Sequence, residues 1–311
     1  MRRFARSTSG AGSMRVEANG IYLEVEQSGP ADGVPLILIR GQGSQLVHWP
    51  KELGAGFAAA GFRTIAFDNR DVGLSRRCPA PGVPDSADDI LAALAAGADL
   101  PKPYGIEDMV DDITGLMDAL GIERAHFFGI SMGGAVLQQL CIDHPGRVLS
   151  ATIVMTACRP FTERAGEGRE ALLALAANLL VRDTSQPEYL EAQIAEHGLW
   201  GSPGYPMPEA DIRAMAERAW ARGVDAAGKN RQVLAILHAP DRRPGLRQLD
   251  LPCLVIHGRQ DTLVPLEMGE EIAAHIPASE FHAIEGMGHI ITPKLAPVMV
   301  DLVRNFITRR A

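Results

Sequence analysis

A single serine, Ser131, lies between the two glycines of residues 129–133, and the segments around it indicate a reactive hydroxyl. The apolar run of residues 125–130 predicts a buried strand, and residues 135–142 predict a helix that ends before Pro145. At a sharp turn from a strand to a helix, a serine hydroxyl points outward and the following backbone N–H groups face whatever that oxygen attacks. Ser131 is therefore predicted to be a catalytic nucleophile.

A nucleophilic serine needs a base to take its proton and an acid to orient that base. In parallel sheets with this kind of turn, the acid and then the histidine follow the serine along the chain. Asp261 comes shortly after the strand-like run 253–256, near the edge of the sheet where loops gather. His289 follows two glycines, after the strand-like run 281–284. We predict that Asp261 orients His289 and that His289 is the base.

The other histidines of the chain are weaker candidates for the base. His257 lies at a strand end beside a glycine, which favours packing against the core. His126 lies in the strand before the serine, and His144 precedes a proline at a helix end. The remaining histidines lie in helical or loop segments without glycines to present them: His48, His197, His238, His275 and His282.

Acyl transfer also requires N–H donors directed at the developing oxyanion. The N–H of Met132, directly after the serine, is predicted to be one of them. The second is expected from the loop of residues 39–44, which follows the third strand. In this loop Gln42 is our choice for the donor, with Gly43 as the alternative.

A turn of residues 68–75 follows the strand-like run 64–67 and is dense in charge. Its Arg70 and Asp71 are candidates for contact with a substrate. The simpler interpretation, which we favour, is an internal ion pair that holds the turn.

Composition and charge argue against several classes of function. The chain has 311 residues, of which 46% are hydrophobic and 22% charged, which is ordinary for a soluble globular protein. Its net charge of −8 argues against nucleic-acid binding, and no apolar run approaches the roughly 20 residues that span a bilayer. No two of its four cysteines have metal-ligand spacing, so we expect reduced core thiols. We predict a cytoplasmic protein without a metal, a nucleic-acid partner or a membrane partner.

Alternating strand and helix patterns predict a mostly parallel, doubly wound α/β sheet. Residues 1–13 are predicted to be a flexible N-terminal extension without a secretory signal. Residues 14–158 and 251–311 are assigned to the core. Between them the patterns of residues 159–250 are all helical, so this segment is predicted to be a cap over the carboxyl edge of the sheet. Asn19 and Gly20 predict a hairpin near the start of the core.

Two helical patterns in the core are amphipathic. In the helix that begins at Ile106, apolar residues recur on one face, while Asp108, Asp111 and Asp112 are predicted to face away from it. The last helix carries a similar apolar stripe over residues 295–307.

The combination of motifs resembles the α/β-hydrolase superfamily over residues 14–307 and, more closely, the serine esterases related to aclacinomycin methylesterase. This resemblance implies the α/β-hydrolase fold with an inserted helical cap, and hydrolysis of a carboxylic ester through an acyl-enzyme without a cofactor. Arg40 departs from the pattern, since many relatives have a histidine before the oxyanion glycine. The motifs that carry the resemblance are Gly41-Gln42, His48-Trp49-Pro50, residues 68–75, Pro103-Tyr104-Gly105, residues 129–133, Asp261 and His289.

Other functions on this scaffold stay open. Carbon–carbon bond hydrolases and perhydrolases share the triad, although Ile290 follows His289 where a ring-cleavage hydrolase would carry an aromatic residue. Slow-turnover ligand receptors also keep the triad, whereas epoxide hydrolases and haloalkane dehalogenases need an aspartate at position 131 and are excluded. A small, hydrophobic ester is the expected substrate because the cap is rich in large apolar residues: Leu172, Leu173, Leu179, Leu180, Trp200, Met207 and Trp220.

Overall fold

The structure is a computed structural model that describes residues 13–164 and 169–310. The predicted N-terminal extension therefore lies, except for Ser13, outside the described residues. One eight-stranded sheet forms the centre of the molecule. Its strands are β1 (Met14–Ala18), β2 (Ile21–Ser28), β3 (Val34–Ile39), β4 (Phe62–Phe67), β5 (Ala125–Ile130), β6 (Val148–Val154), β7 (Cys253–Gly258) and β8 (Glu280–Ile284).

The strands are ordered β1-β2-β4-β3-β5-β6-β7-β8 across the sheet. The β1–β2 and β2–β4 pairs are antiparallel, and the other neighbouring pairs are parallel. Asn19 and Gly20 join β1 to β2 with φ values of 50° and 74°, as the predicted two-residue hairpin requires. The predicted mostly parallel, doubly wound α/β sheet is thus confirmed.

Helices cover both faces of this sheet. Ile37 of β3 packs in a core with the helices that begin at Ile106 and Met132, and the next residue, Leu38, packs in a second core on the opposite face. The helices are α1 (Lys51–Ala59), α2 (Ala87–Ala96), α3 (Ile106–Ala119), α4 (Met132–Asp143), α5 (Phe161–Arg164), α6 (Arg169–Leu179), α7 (Gln186–Trp200), α8 (Glu209–Ala221), α9 (Ala226–Leu237), α10 (Arg243–Leu246), α11 (Leu266–His275) and α12 (Ala296–Arg310).

The prediction that Asp112 faces away from the core is wrong. Asp112 is buried, and its two carboxylate oxygens accept hydrogen bonds from Nε and Nη2 of Arg70, both at 2.7 Å. A buried carboxylate needs such a partner, because desolvation of an unpaired charge is very costly. Arg70 therefore ties α3 to the turn of residues 68–75, as an internal ion pair.

The described residues between β6 and β7 form helices α5 to α10 and contain no strand. This confirms an inserted helical cap, and we retain residues 159–250 as its proposed limits. Within the cap, Tyr189 of α7 packs against Ala216 and Ala219 of α8 in a small apolar cluster of its own.

Buried ion pairs fasten the cap to the turn of residues 68–75. Arg231 of α9 donates hydrogen bonds to Oδ1 and Oδ2 of Asp71 at 2.6 and 3.1 Å, and both side chains are almost fully buried. Arg222, which follows α8, binds the buried carboxylate of Asp68. The cap is therefore held on the core by charges that water does not screen well.

We predict that Arg231→Leu lowers the free energy of unfolding by about 3–5 kcal/mol, because it leaves Asp71 buried without its cation. Arg213→Leu is the matched control, since Arg213 forms ion pairs on the exposed face of α8 that contribute at most about 1 kcal/mol. Urea unfolding of the wild type and both variants measures the two losses. Equal losses would contradict this account of the cap.

Candidate active site

Ser131 occupies the turn between β5 and α4. Its φ of 52° and ψ of −122° are rare for a residue other than glycine. The surrounding chain leaves no room for side chains at the flanking glycines. A Cβ on Gly129 would lie 2.5 Å from the Gly133 carbonyl oxygen, and one on Gly133 would lie 2.3 Å from the Ile39 carbonyl oxygen. The two glycines that flank Ser131 are thus a steric requirement of this turn.

The imidazole of His289 lies between the other two candidate residues. Its Nε2 is 3.0 Å from Ser131 Oγ, and its Nδ1 is 2.7 Å from Asp261 Oδ2. Because an ionised carboxylate only accepts hydrogen bonds, Nδ1 carries the hydrogen and Nε2 is available to accept the serine proton. The structure therefore brings together the three side chains singled out in the sequence.

Asp261 lies in the loop after β7, and its side chain is fully buried. Its Oδ1 accepts the N–H groups of Leu263 and Val264 at 3.0 and 2.8 Å. Burial alone would raise the pKa of Asp261, but the charge and hydrogen bond of His289, together with the Val264 N–H, hold that pKa below its usual value. Asp261 is therefore ionised at neutral pH and able to orient the imidazole.

A second histidine, His257, is close to the same carboxylate but has a different role. Its Nε2 lies 3.6 Å from Asp261 Oδ2, whereas the Val264 carbonyl oxygen is 2.8 Å away and accepts its hydrogen. The side chain is completely buried, and burial lowers its pKa, so the ring is neutral. His257 packs in the core, as the sequence predicts.

Two backbone N–H groups near the serine remain candidates for donors to an oxyanion. Met132 is the first residue of α4, so its N–H has no acceptor within the helix. In the loop after β3, the Gly43 N–H donates to Gln232 Oε1 at 2.7 Å and is occupied. The Gln42 N–H has no hydrogen-bond partner among the residues that the structure describes. This difference favours Gln42 over Gly43 as the second donor.

The cap holds the loop that carries His289. The His289 N–H donates to the Trp200 carbonyl oxygen at 2.7 Å. Ser202 Oγ accepts the Gly288 N–H at 3.0 Å and donates to the Ile290 carbonyl oxygen at 2.6 Å. Local patterns in the sequence gave no sign that one segment supports the other.

A cavity of about 470 Å³ opens onto Ser131 and His289 beneath the cap. Of the seven apolar cap residues singled out in the sequence, Leu179, Trp200 and Met207 line it. Trp220 instead packs against another cap aromatic ring. Further apolar lining comes from Ile130, Met155, Met215, Ile290 and Ile291.

Sequence reasoning missed the polar part of this cavity. His48, His197 and Lys229 line it together with Arg40. Neither histidine is hydrogen-bonded to Ser131. Nδ1 of His48 is bonded to the backbone of Gln45, and Nδ1 of His197 is bonded to a carbonyl one helical turn earlier. The only signal in the sequence was Arg40, which replaces the usual histidine.

The structure identifies no metal centre within residues 13–164 and 169–310, where no group of three or more His, Cys, Asp or Glu side chains is arranged to bind a metal ion. In the same part of the chain, none of the helices combines the length and the apolar character needed to cross a membrane. All four cysteines are free thiols, and three of them, Cys141, Cys158 and Cys253, are buried.

Comparisons with known proteins point to a hydrolase. A family model described as alpha/beta hydrolase fold matches residues 34–293. The RutD protein of Variovorax paradoxus strain S110, named as a candidate carbamate hydrolase, is 31% identical over 92% of this chain and 96% of its own. Rhodomycin D methylesterase DnrP of Streptomyces peucetius is 26% identical over 84% of this chain and 86% of its own. The enol-lactonase structure from Burkholderia xenovorans LB400 has a TM-score of 0.66 at 25% identity, covering 95% of this chain and 100% of its own.

We predict that a fluorophosphonate labels Ser131, because His289 Nε2 is placed to take its proton. His289→Gln removes the base and should slow this labelling by at least about 10³-fold. His282→Gln, on β8 and outside the cavity lining, is the matched control and should react at the wild-type rate. Mass spectrometry of the labelled peptide measures the rates, and labelling of another serine would refute the assignment.

Proposed function

This chain belongs to the α/β-hydrolase family, and we propose that it hydrolyses carboxylic esters through an acyl-enzyme. The observation that carries the proposal is the hydrogen-bonded series from Ser131 Oγ through His289 to Asp261, with distances of 3.0 and 2.7 Å. A serine hydroxyl attacks a carbonyl at neutral pH only when a base removes its proton. The relative named as a methylesterase supports an ester as the group that is attacked.

In the acylation step, Ser131 Oγ attacks the ester carbonyl carbon while its proton passes to His289 Nε2. Asp261 accepts the hydrogen bond from Nδ1 and stabilises the imidazolium that forms. The carbonyl oxygen becomes an oxyanion, and we assign the N–H groups of Met132 and Gln42 as its donors. One such donor contributes about 3 kcal/mol to transition-state stability, and Met132 also lies at the positive end of the α4 dipole.

The tetrahedral intermediate then collapses as the ester C–O bond breaks. His289 gives its proton to the leaving oxygen, which departs as the alcohol. In deacylation, a water molecule attacks the acyl carbon while His289 takes one of its protons. The bond to Ser131 Oγ breaks and the proton returns to the serine, so that a carboxylic acid is released. These steps balance without a cofactor.

The cavity favours a small ester with an apolar part. Its volume of about 470 Å³ is in the range of small-molecule sites. Leu179, Met207 and Met215 reach it from the cap, while Ile130 and Met155 reach it from strand ends of the core. A hydrocarbon acyl or alcohol group would gain about 25 cal/mol for each Å² of apolar surface that it buries there.

Carbamate hydrolysis is a second candidate, because the relative named for that reaction is 31% identical to this chain. The same serine attack applies to a carbamate carbonyl, with an amine or ammonia as a leaving group that His289 would protonate. Carbon–carbon hydrolysis receives no comparable support from the site. Ile290 and Ile291 line the cavity after His289, where a ring-cleavage hydrolase would carry an aromatic residue.

The test is a time course of p-nitrophenyl acetate and butyrate hydrolysis over many enzyme equivalents. We expect sustained turnover by the wild type and a loss of at least about 10³-fold in Ser131→Ala. Ser28→Ala, at the exposed end of β2, is the matched control and should retain full activity.

A single burst that stalls would instead indicate a slow-turnover receptor. Absence of ester turnover, with Ser131 still labelled by a fluorophosphonate, would reject the esterase proposal. A panel of carbamates and of carbon–carbon hydrolase substrates would then be assayed with the same three proteins.

A further inference from the structure

Several basic residues line the cavity that contains Ser131. We call four of them the basic wall: Arg40, His48, His197 and Lys229. They lie close to one another. Burial, followed by the charges of Arg40, Lys229 and His197, lowers the pKa of His48 to about 3. The histidine ring is therefore neutral at physiological pH, and the permanent charge of the wall belongs to Arg40 and Lys229.

Arg40 lacks a compensating anion in the protein. Its guanidinium lies over the ring of Trp49, with 4.5 Å between the guanidinium carbon and the ring centroid. Nε of Arg40 is buried without a hydrogen-bond partner. No carboxylate in the described part of the chain forms an ion pair with Arg40, and burial lowers its pKa to about 9. The charged form of this side chain is thus desolvated but not neutralised.

Two other arginines near the cavity, Arg159 and Arg222, are paired with carboxylates of the protein. Arg159 also lines the cavity, but its Nε and Nη2 donate to both carboxylate oxygens of Glu271 at 2.9 and 2.8 Å. Arg222, which holds the cap, binds Asp68. Arg40 therefore differs from these arginines in a way that points to a partner from outside the protein.

The carboxylates that line the cavity do not supply that partner. Glu196 accepts a hydrogen bond from Gln193 Nε2 at 2.8 Å. Glu52 and Asp211 are exposed to solvent. Among the ion pairs of the described residues, none joins these three carboxylates to Arg40 or to Lys229.

Arg40 and Lys229, the two charged residues of the basic wall, flank the loop of residues 39–44, which we propose to bind the oxyanion. Arg40 is followed by Gly41, on which a Cβ would lie 3.1 Å from Ser131 Cβ. At the other side of the loop, a Cβ on Gly43 would lie 2.2 Å from Cε of Lys229, so the lysine side chain runs against the loop. Both side chains line the same cavity as Ser131, where a substrate would bind.

We propose that the cavity takes an ester that carries a carboxylate, and that the Arg40 guanidinium binds this carboxylate while the apolar wall packs on the chain between the two groups. This inference rests on the proposed esterase function and narrows its substrate class. A guanidinium fits a carboxylate because its N–H donors form a planar fork. The apolar remainder of the cavity suits a hydrocarbon spacer better than a second charged group. The substrate class predicted from the sequence, a hydrophobic ester, is thus narrowed to a hydrophobic ester with one anionic end.

Two matched pairs of substrates test the proposal and show which part of the ester carries the charge. Monoethyl adipate and its neutral amide, ethyl adipamate, differ at the end of the acyl part. The acetate ester of hydroxyhexanoate and that of hydroxyhexanamide differ at the end of the alcohol part. We expect the wild type to prefer the anionic member of at least one pair by roughly 10- to 100-fold in kcat/KM.

Arg40→Met should reduce that ratio to near one, while Arg40→Lys should keep part of it because the charge is retained but the planar fork is lost. Arg304→Met, on the exposed face of α12, is the control for loss of one positive charge and should leave the ratio unchanged. A wild-type ratio near one in both pairs, or an unchanged ratio in Arg40→Met, would overturn the proposal. Cooperative thermal unfolding of each variant verifies that it is folded.

Binding measured without turnover separates this inference from the esterase proposal. Isothermal titration of Ser131→Ala with both pairs should show tighter binding of the anionic member, and the Arg40→Met/Ser131→Ala double variant should lose the difference. If the wild type hydrolyses none of the esters, the esterase proposal fails while the titration still tests the anion site. Equal affinities for the anion and the amide would refute the anion site.

Discussion

Ser131 is held in a backbone conformation that the surrounding chain enforces, and the position of every other reactive group is defined relative to it. A residue with this positive φ costs about 1–3 kcal/mol and persists only where the surroundings over-determine it. Here the Ser131 N–H donates to the Val154 carbonyl oxygen of β6 at 3.0 Å, and the Ser131 carbonyl oxygen accepts the N–H groups of Gly134 and Ala135. The serine is thus fixed by the sheet and by α4, without help from the cap.

The proposed base, His289, is positioned differently, because its loop is hydrogen-bonded to the cap. Trp200 and Ser202, at the end of α7, bind the backbone on both sides of the imidazole-bearing residue. The cap in turn is anchored to the core by the buried pair of Asp71 and Arg231. The cap is therefore both the roof of the cavity and a support for His289, so a displacement that breaks these bonds would misplace the base as well as open the cavity.

Local patterns in the sequence were sufficient for the strand–turn–helix around Ser131, and the bounds of β5 agree with the predicted apolar run. They failed where a contact joins distant segments. Asp112 follows the polar face of its helix by spacing, yet an arginine 42 residues away draws it into the interior. The hydrogen bond from the Gly43 N–H to Gln232 joins residues that are 189 positions apart, and no local pattern in the sequence indicated it. Helical and strand periodicity indicates which residues are buried. It does not indicate which distant charged or polar group compensates the desolvation cost of a buried polar side chain.

In the proposed role of Arg40, a different side chain beside the proposed oxyanion loop alters specificity without altering the backbone of that loop. The carbonyl oxygen of Arg40 accepts a hydrogen bond from Asn69 Nδ2 at 3.1 Å, so the backbone is fixed whatever the side chain does. The net charge of −8 is a property of the whole chain, and at physiological ionic strength surface charges are screened beyond about 8 Å. Inside the cavity the dielectric constant is lower, so the charge of an unpaired guanidinium acts more strongly there than on the surface. In the proposed complex, a neutral ester would leave this charge desolvated and uncompensated, whereas an anionic ester would compensate it. The proposed selectivity therefore arises from a desolvation cost that the neutral substrate does not relieve.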